Sequence, residues 1–235
     1  MRTTSESLDA KGQVASVTIT DTRTSLIAAD DSSYTLRSEA TVDAAGRRIA
    51  TTPHVVRHGF LGEKPGQVYT VKRMGESSVT IDRRVIPCEL QQIVVEEAGS
   101  KLTSLVHYAP EVAPFVLRRE TNVEANGEEK RNASLVEVIA LNLPHRLRGD
   151  LKEASYVKTT QQLPTGTKTT LEVHCEDLPG SVAAHWASET DASGRVLRRS
   201  TLELLGYGLP VVAEQTGILP RRFQRASKAR RMESR

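Results

Sequence analysis

The chain has 235 residues, with 32 Lys and Arg against 29 Asp and Glu for a net charge of +3; apolar residues make up 38% and aromatics 4%. That length supplies one medium domain with a real core, or two small ones. No run of about 18 apolar residues exists, which excludes a membrane-spanning helix. Two cysteines, Cys88 and Cys175, exclude a disulfide framework and a four-cysteine zinc site.

Val and Thr together are about a fifth of the chain, and β-branched residues favour a pleated sheet. Gly, Asn, Asp and Pro recur at short intervals, as in hairpin-rich proteins. In chain order, the first 13 residues hold no apolar stretch, so no signal peptide is expected there. Strands are expected over 14–20, 33–42, 47–58 with a break at Pro53, 68–73 and 77–81. Residues 87–99 fit either a helix opened by Pro87, with Leu90, Ile93, Val94 and Glu97 at helical spacing, or a strand. The strand is preferred, because 97–100 reads as a turn and 101–108 supplies the returning strand. Further strands follow over 115–123, 132–141, 154–162, 167–175, 181–189 and 195–205. Residues 135–141 and the end of 195–205 are apolar on both faces, so something must cover the convex side there, with 142–150 a candidate.

An internal repeat organises these elements. LRSEATVDAAG at 36–46 aligns without gaps on LRRETNVEANG at 117–127. A shorter copy is ASETDASG at 187–194, and LDAKG at 8–12 is a fragment of a fourth. In the acid-Ala-x-Gly core, a short acidic side chain bonds back into the turn while Gly takes the positive φ that closes it. This predicts a three-to-five-residue hairpin loop with a glycine bulge. Upstream, Val106-His107-Tyr108 parallels Val173-His174-Cys175, each followed by a Pro-containing segment and a strand. Repeated hairpins make a meander, and a meander of a dozen twisted strands must curl. The expected fold class is all-β: a curved antiparallel meander forming an incomplete barrel, one domain over 1–220.

The segments HYAPEVAPFVLRRETNVEANGEE and VHCEDLPGSVAAHWASETDASGRVLRRSTLELLGY carry a recurring pattern. It is an aromatic residue, a Pro-containing gap, an apolar residue, Arg, Glu, an acidic turn with Gly, then a Thr- and Leu-rich strand. The pattern resembles the late hairpins of LolA/LolB-type bacterial lipoprotein-sorting proteins and related envelope families, over roughly residues 68–207. The resemblance implies an unclosed antiparallel half-barrel wrapped over helices, an apolar cavity for acyl chains, and a place in the cell envelope. The chain departs from that pattern in three ways: it shows no export signal, no lipobox cysteine near the start, and no evident helices to fill the half-barrel. The start is therefore incomplete, or the chain belongs to a longer protein, or the likeness is architectural only; with a genuine start the protein is cytoplasmic.

Candidate chemistry is sparse. There is no Gly-rich phosphate loop, nucleophile elbow, HExxH or CxxC motif, and no cofactor or resident metal is expected. His54 and His58 lie about 13 Å apart along a strand, too far for one metal without a bend. If the two repeat hairpins are neighbours in the sheet, His107, His174 and His185 converge on one rim, where a metal-assisted hydrolase is a minor reading. Cys88 and Cys175 either pair or are separate buried thiols; the second is preferred. Arg37 with Glu39 and Arg118 with Glu120 share strand faces and read as exposed ion pairs. Asn132-Ala133-Ser134 is a formal glycosylation sequon.

Two functional readings follow. The first is a non-enzymatic binding or structural module holding an apolar chain or a protein segment on the concave sheet. Its pocket is lined by Val, Leu and Ile, and Tyr108, Phe115, Trp186, His107 and His174 stand at the rim. The alternative is a cytoplasmic scaffold that docks on nucleic acid, anionic membrane or a partner through residues 221–235. This tail holds seven basic residues against one acidic, Arg221, Arg222, Arg225, Lys228, Arg230 and Arg231 among them, and leaves the body at −3. A solvated, disordered terminus is the plain reading of the same composition.

Overall fold

β-branched residues between closely spaced turns favour a chain that returns repeatedly upon its neighbour. In the computed structural model, residues 1–30, 33–59, 67–97, 100–125 and 131–208 are described, and among them there are strands and turns but no helix. Fourteen strands follow in order: β1 (Arg2–Leu8), β2 (Val14–Ala29), β3 (Ser33–Ala44), β4 (Arg47–Ala50), β5 (His54–Gly59), β6 (Val68–Ile81), β7 (Arg84–Glu97), β8 (Ser100–Tyr108), β9 (Val116–Ala125), β10 (Arg131–Leu147), β11 (Asp150–Leu163), β12 (Gly166–His174), β13 (Val182–Asp191) and β14 (Val196–Glu203). The ambiguous segment at 87–99 is strand. The break at Pro53 separates β4 from β5, which both lie along β3. The expected strands 68–73 and 77–81 are one strand with an irregularity between Arg73 and Gly75.

All strands belong to one unclosed antiparallel sheet, in the order β4-β3-β2-β1-β14-β13-β12-β11-β10-β9-β8-β7-β6, with β5 on β3. Sequential hairpins account for every neighbour except two: β5 pairs with β3 beyond β4, and β1 pairs with β14, Thr4 opposite Thr201, which joins two meanders. Laid flat, the twelve steps from β5 to β6 would separate them by roughly 58 Å. Residues 60–67, which connect them, reach about 30 Å at most. Connectivity alone therefore requires the sheet to curl. No strand was expected over Arg2–Leu8, whose polar sequence RTTSESL gives no apolar alternation.

The acid-Ala-x-Gly turns close as expected at two places. Asp9 N–H donates to Gln13 O at 2.9 Å and Gly12 N–H to Asp9 O at 3.0 Å; Asp191 repeats both bonds with Arg195 and Gly194. Each Asp carboxylate also accepts two backbone N–H groups of its own loop, and Gly12 and Gly194 take φ of 76° and 85°. The third copy differs. Ala44 pairs directly with Arg47, so the ladder runs one pair further. The loop shrinks to Ala45-Gly46, both at positive φ, a tight hairpin turn in place of the bulged loop. The copy ending at Gly127 lies partly outside the described residues.

Two clusters form the core. Ile81, Cys88, Ala109, Leu117, Val138 and Val157 pack together beneath the far end of the β6–β7 hairpin. That hairpin end is also tied to β10, where Leu141 N–H donates to Asp82. Leu147, Ala154, Val173, Cys175, Leu178, Ala183 and Ala184 make the second cluster. Full burial of Leu117 or Val173 contributes about 1.5–3 kcal/mol each. Leu147 belongs to 142–150, the segment expected to cover the convex side. None of the buried apolar side chains comes from β1 to β5.

Candidate functional site

Antiparallel partners share a face, and successive residues on a strand alternate between faces. Ile93, Ser104 and Thr121 stand opposite one another across β7, β8 and β9, and Val106, Arg119 and Val136 follow in the next row across β8, β9 and β10. Ile93, Ser104, Val106 and Thr121 are all buried, and Val138 and Val157 lie on the same side. This is the inner face of the curl. One cross-strand row carries that face through nine strands: Val138, Val157, Glu172, His185, Leu202, Thr3, Thr20, Val42 and Ile49. Val157 at one end is 3% exposed, whereas Ile49 at the other is 61% exposed. Leu26 shares that side with Leu36 and Val56 and is 60% exposed. The inner face is thus covered over β9 to β11 and open over β2 to β5.

The outer face carries ion pairs over β1, β2, β9, β10 and β14, and over β11 to β13 it carries the second core cluster, where Tyr156, Val173 and Ala184 stand opposite one another. Arg2 meets Asp21 at 2.8 Å, Arg199 meets Glu6 at 2.8 Å, and Arg118 meets Glu137 at 2.9 Å. Arg37–Glu39 and Arg118–Glu120 are the exposed pairs read from the repeat, and each contributes little. A groove lined by Asp21, Arg23, Glu39, Thr41 and Leu205 lies on this polar side.

The expected rim residues do not come together. β8 and β12 are separated by three strands, about 19 Å across, so His107 and His174 do not converge. They are not equivalent either. The loop bonds Ala109 N–H to Phe115 O and Phe115 N–H to Val112 O recur as Cys175 to Ser181 and Ser181 to Leu178. The structure therefore matches Tyr108 with His174 and Phe115 with Ser181, one position away from the alignment of His107 with His174. A bulge lies at the same point of both hairpins. Phe115 and Trp186 likewise occupy different repeat positions. Phe115 sits in the loop at φ 72°, whereas Trp186 stands within β13 opposite Leu171 and Thr201, on the outer side. Tyr108 ends β8 and lines a small groove with Arg73, Pro87 and Glu89.

His107 accepts or donates a 3.2 Å hydrogen bond with Ser77 Oγ; burial and the nearby Arg118 hold its pKa below the usual histidine value. His174 is bonded on both ring nitrogens, to Ser181 Oγ at 2.9 Å and to Glu172 Oε2 at 3.0 Å. That hydrogen bond draws the Glu172 carboxyl below its ordinary pKa. His185 faces Glu172 across the ladder, and burial lowers its pKa. The Ser-His-Glu chain has the members of a relay. However, the N–H groups of Ser181 and Val182, the natural donors to an oxyanion, already bond Leu178 O and Gly180 O. Its contribution is to clamp the loop. Among the described residues no group of three His, Cys, Asp or Glu could hold a metal. Cys88 and Cys175 are separate buried thiols in different clusters. The six basic tail residues from Arg221 to Arg231 lie outside the described residues.

Arg119 was passed over in the sequence. Its Nε and Nη2 both donate to Ser104 Oγ at 3.2 Å, and that hydroxyl shares a 2.9 Å hydrogen bond with Thr121 Oγ1. Burial lowers the pKa of its guanidinium. The doublet Arg118-Arg119 was the available signal, because adjacent strand residues must face opposite sides.

Fold and site together define an open, curled, all-antiparallel sheet that leaves apolar side chains, Leu26 and Ile49 among them, uncovered over β2 to β5. The chain is similar to a crystal structure of a Bacteroides fragilis protein with a YmcC-like fold, at 9% identity and a TM-score of 0.29, over 86% of this chain and 93% of the other. No protein-family model and no curated protein matches it.

Proposed function

We propose that this protein is a non-enzymatic binding module that holds an apolar chain against the inner face of its curled sheet. The observation that carries this reading is the single row in which Val157 is covered and Ile49, on the same face, is not. Leu26, Leu36, Val42, Ile49 and Val56 share one side of β2 to β5, where Leu26 and Ile49 are 60% and 61% exposed. Uncovered apolar surface of this kind gains about 25 cal/mol per Å² when a ligand removes it from water. The resemblance of residues 68–207 to lipoprotein-sorting proteins supports an acyl chain as the occupant and the cell envelope as its setting.

The test is titration with the neutral reporter N-phenyl-1-naphthylamine. Saturable fluorescence enhancement is expected. Ile49→Asp should abolish it, and Val17→Asp on the outer face should leave it unchanged. No enhancement, or equal loss in both variants, refutes the reading.

A further inference from the structure

β4 and β5 follow one another along the same side of β3, and among the described residues no strand pairs with their other side. The direction of each backbone group on this edge follows from the ladder. The Ala45-Gly46 turn makes Ala44 and Arg47 a hydrogen-bonded pair, and Thr51 N–H donates to Ala40 O at 2.8 Å. Alternation then turns the N–H and C=O of Arg47, Ile49 and Thr51 toward β3 and those of Arg48 and Ala50 away from it. Along β3, Ser38 keeps the orientation of Ala40. Its partner His54 therefore bonds β3, as do Val56 and His58, while Val55 and Arg57 turn their backbone groups outward. Arg48, Ala50, Val55 and Arg57 are all exposed.

The charge of this edge has one sign. No Asp or Glu occurs between Asp43 and Glu63, whereas the same stretch holds Arg47, Arg48, His54, Arg57 and His58. An antiparallel second copy would bring the Arg47 and Arg48 end of one chain to the Arg57 end of the other, like charge against like. The basic stretch 221–235 is repelled for the same reason. Tyr34 is the one aromatic ring of β2 to β5, and it is stacked on His58 at 5.5 Å, which disfavours nucleic acid bound by base stacking. An acidic strand meets none of these obstacles.

We propose that the β4–β5 edge captures an extended acidic segment of another protein as an additional strand, with Asp or Glu alternating with apolar residues. The outward backbone groups supply the ladder and the arginines select the charge. Alternate side chains of the added strand lie beside Arg48 and Arg57 on one face and beside Ile49 and Val56 on the other, so acidic and apolar residues in alternation suit both faces. This site goes beyond the apolar-chain reading and stands whether or not the inner face is filled.

The experiment uses the full chain and fluorescence anisotropy of three labelled octapeptides: alternating Glu and Val, alternating Lys and Val, and the Glu peptide with every backbone N–H methylated. Wild type should bind the Glu peptide saturably and roughly tenfold or more tighter than the Lys peptide. The methylated peptide should not bind, because it keeps the charge and loses the ladder. Ala50→Pro removes an outward N–H that the fold does not use, so it should weaken binding by roughly tenfold with the far-ultraviolet circular dichroism unchanged. Arg47→Glu with Arg48→Glu should weaken it at least as much, which keeps the test intact if the proline disturbs β4. Lys11→Glu, at a distant exposed turn, should change affinity by less than about twofold. Absence of saturable binding, equal affinity for the Glu and Lys peptides, or undiminished binding of the methylated peptide overturns the proposal. Binding retained in both the Ala50 and the Arg47–Arg48 variants places the peptide elsewhere and also overturns it. Oligo-dT bound as tightly as the Glu peptide makes the edge a nucleic-acid surface instead, and a dimer in sedimentation that Ala50→Pro converts to monomer assigns the edge to a second copy; either result overturns the acidic strand.

Discussion

Leu117 and Leu26 are the same residue type in the same sheet, and the structure assigns them opposite energetic weights. Leu117 is 0% exposed within the cluster beneath the β6–β7 hairpin, whereas Leu26 is 60% exposed on the open inner face. Replacing Leu117 with Ala removes about three methylene equivalents, or about 2.4 kcal/mol of transfer free energy. It also leaves a cavity walled by Val138, Val157 and a hydrogen-bonded loop, which restricts collapse. The expected loss is about 3–5 kcal/mol. Leu26→Ala creates no cavity and should change stability by less than about 0.5 kcal/mol. In urea unfolding followed by far-ultraviolet circular dichroism, a slope of about 2–3 kcal/mol/M converts the Leu117 loss into a midpoint shift of at least 1 M. The Leu26 variant should overlay wild type. Comparable shifts in the two variants would mean that β2 packs against a core of its own, and the open inner face would be refuted.

Three further outcomes are expected. A Cβ at Gly166, which has φ 156°, would run into the Thr190 carbonyl, whereas one at Gly12 meets nothing within 4 Å; Gly166→Ala should therefore cost several-fold more stability than Gly12→Ala, whose strain is about 1 kcal/mol, and equal midpoints in urea would contradict the close approach of β12 to β13. Burial lowers the pKa of His107 and His185, so the unfolded chain takes up their protons first, and stability should fall as pH drops below about 6.5. The Glu172 contribution, with its pKa also lowered, is complete above the unfolded carboxyl value and should fall away at more acidic pH as the folded value is crossed; a urea midpoint constant from pH 7.5 to 4 would contradict both. Burial raises the pKa of both thiols, so Cys88 and Cys175 should react slowly with a thiol reagent at pH 8 in the native protein and give two equivalents in urea, and fast native reaction would show that the clusters open.

The sequence by itself determined whatever depends on near neighbours. β-branched content and turn residues announced hairpins, and an aspartate three places before a glycine specified the loops at Asp9 and Asp191, because the side chain bonds only its own loop. Repetition of such hairpins implied a meander, and a meander of this length implied curl. Tertiary structure decided what pairing at a distance controls. RTTSESL is a strand held on both edges, by β2 through the Asp9 hairpin and by β14, nearly two hundred residues away. His107 and His174 looked equivalent by letter matching, but the bulge in each hairpin sets the geometric register one residue over. The Arg118-Arg119 doublet is two identical letters in sequence. Only the ladder partners make one an ordinary surface ion pair with Glu137 and leave the other among Val106, Val136 and a serine hydroxyl, because a side chain's electrostatic meaning belongs to the strand beside it and not to its neighbours in the chain.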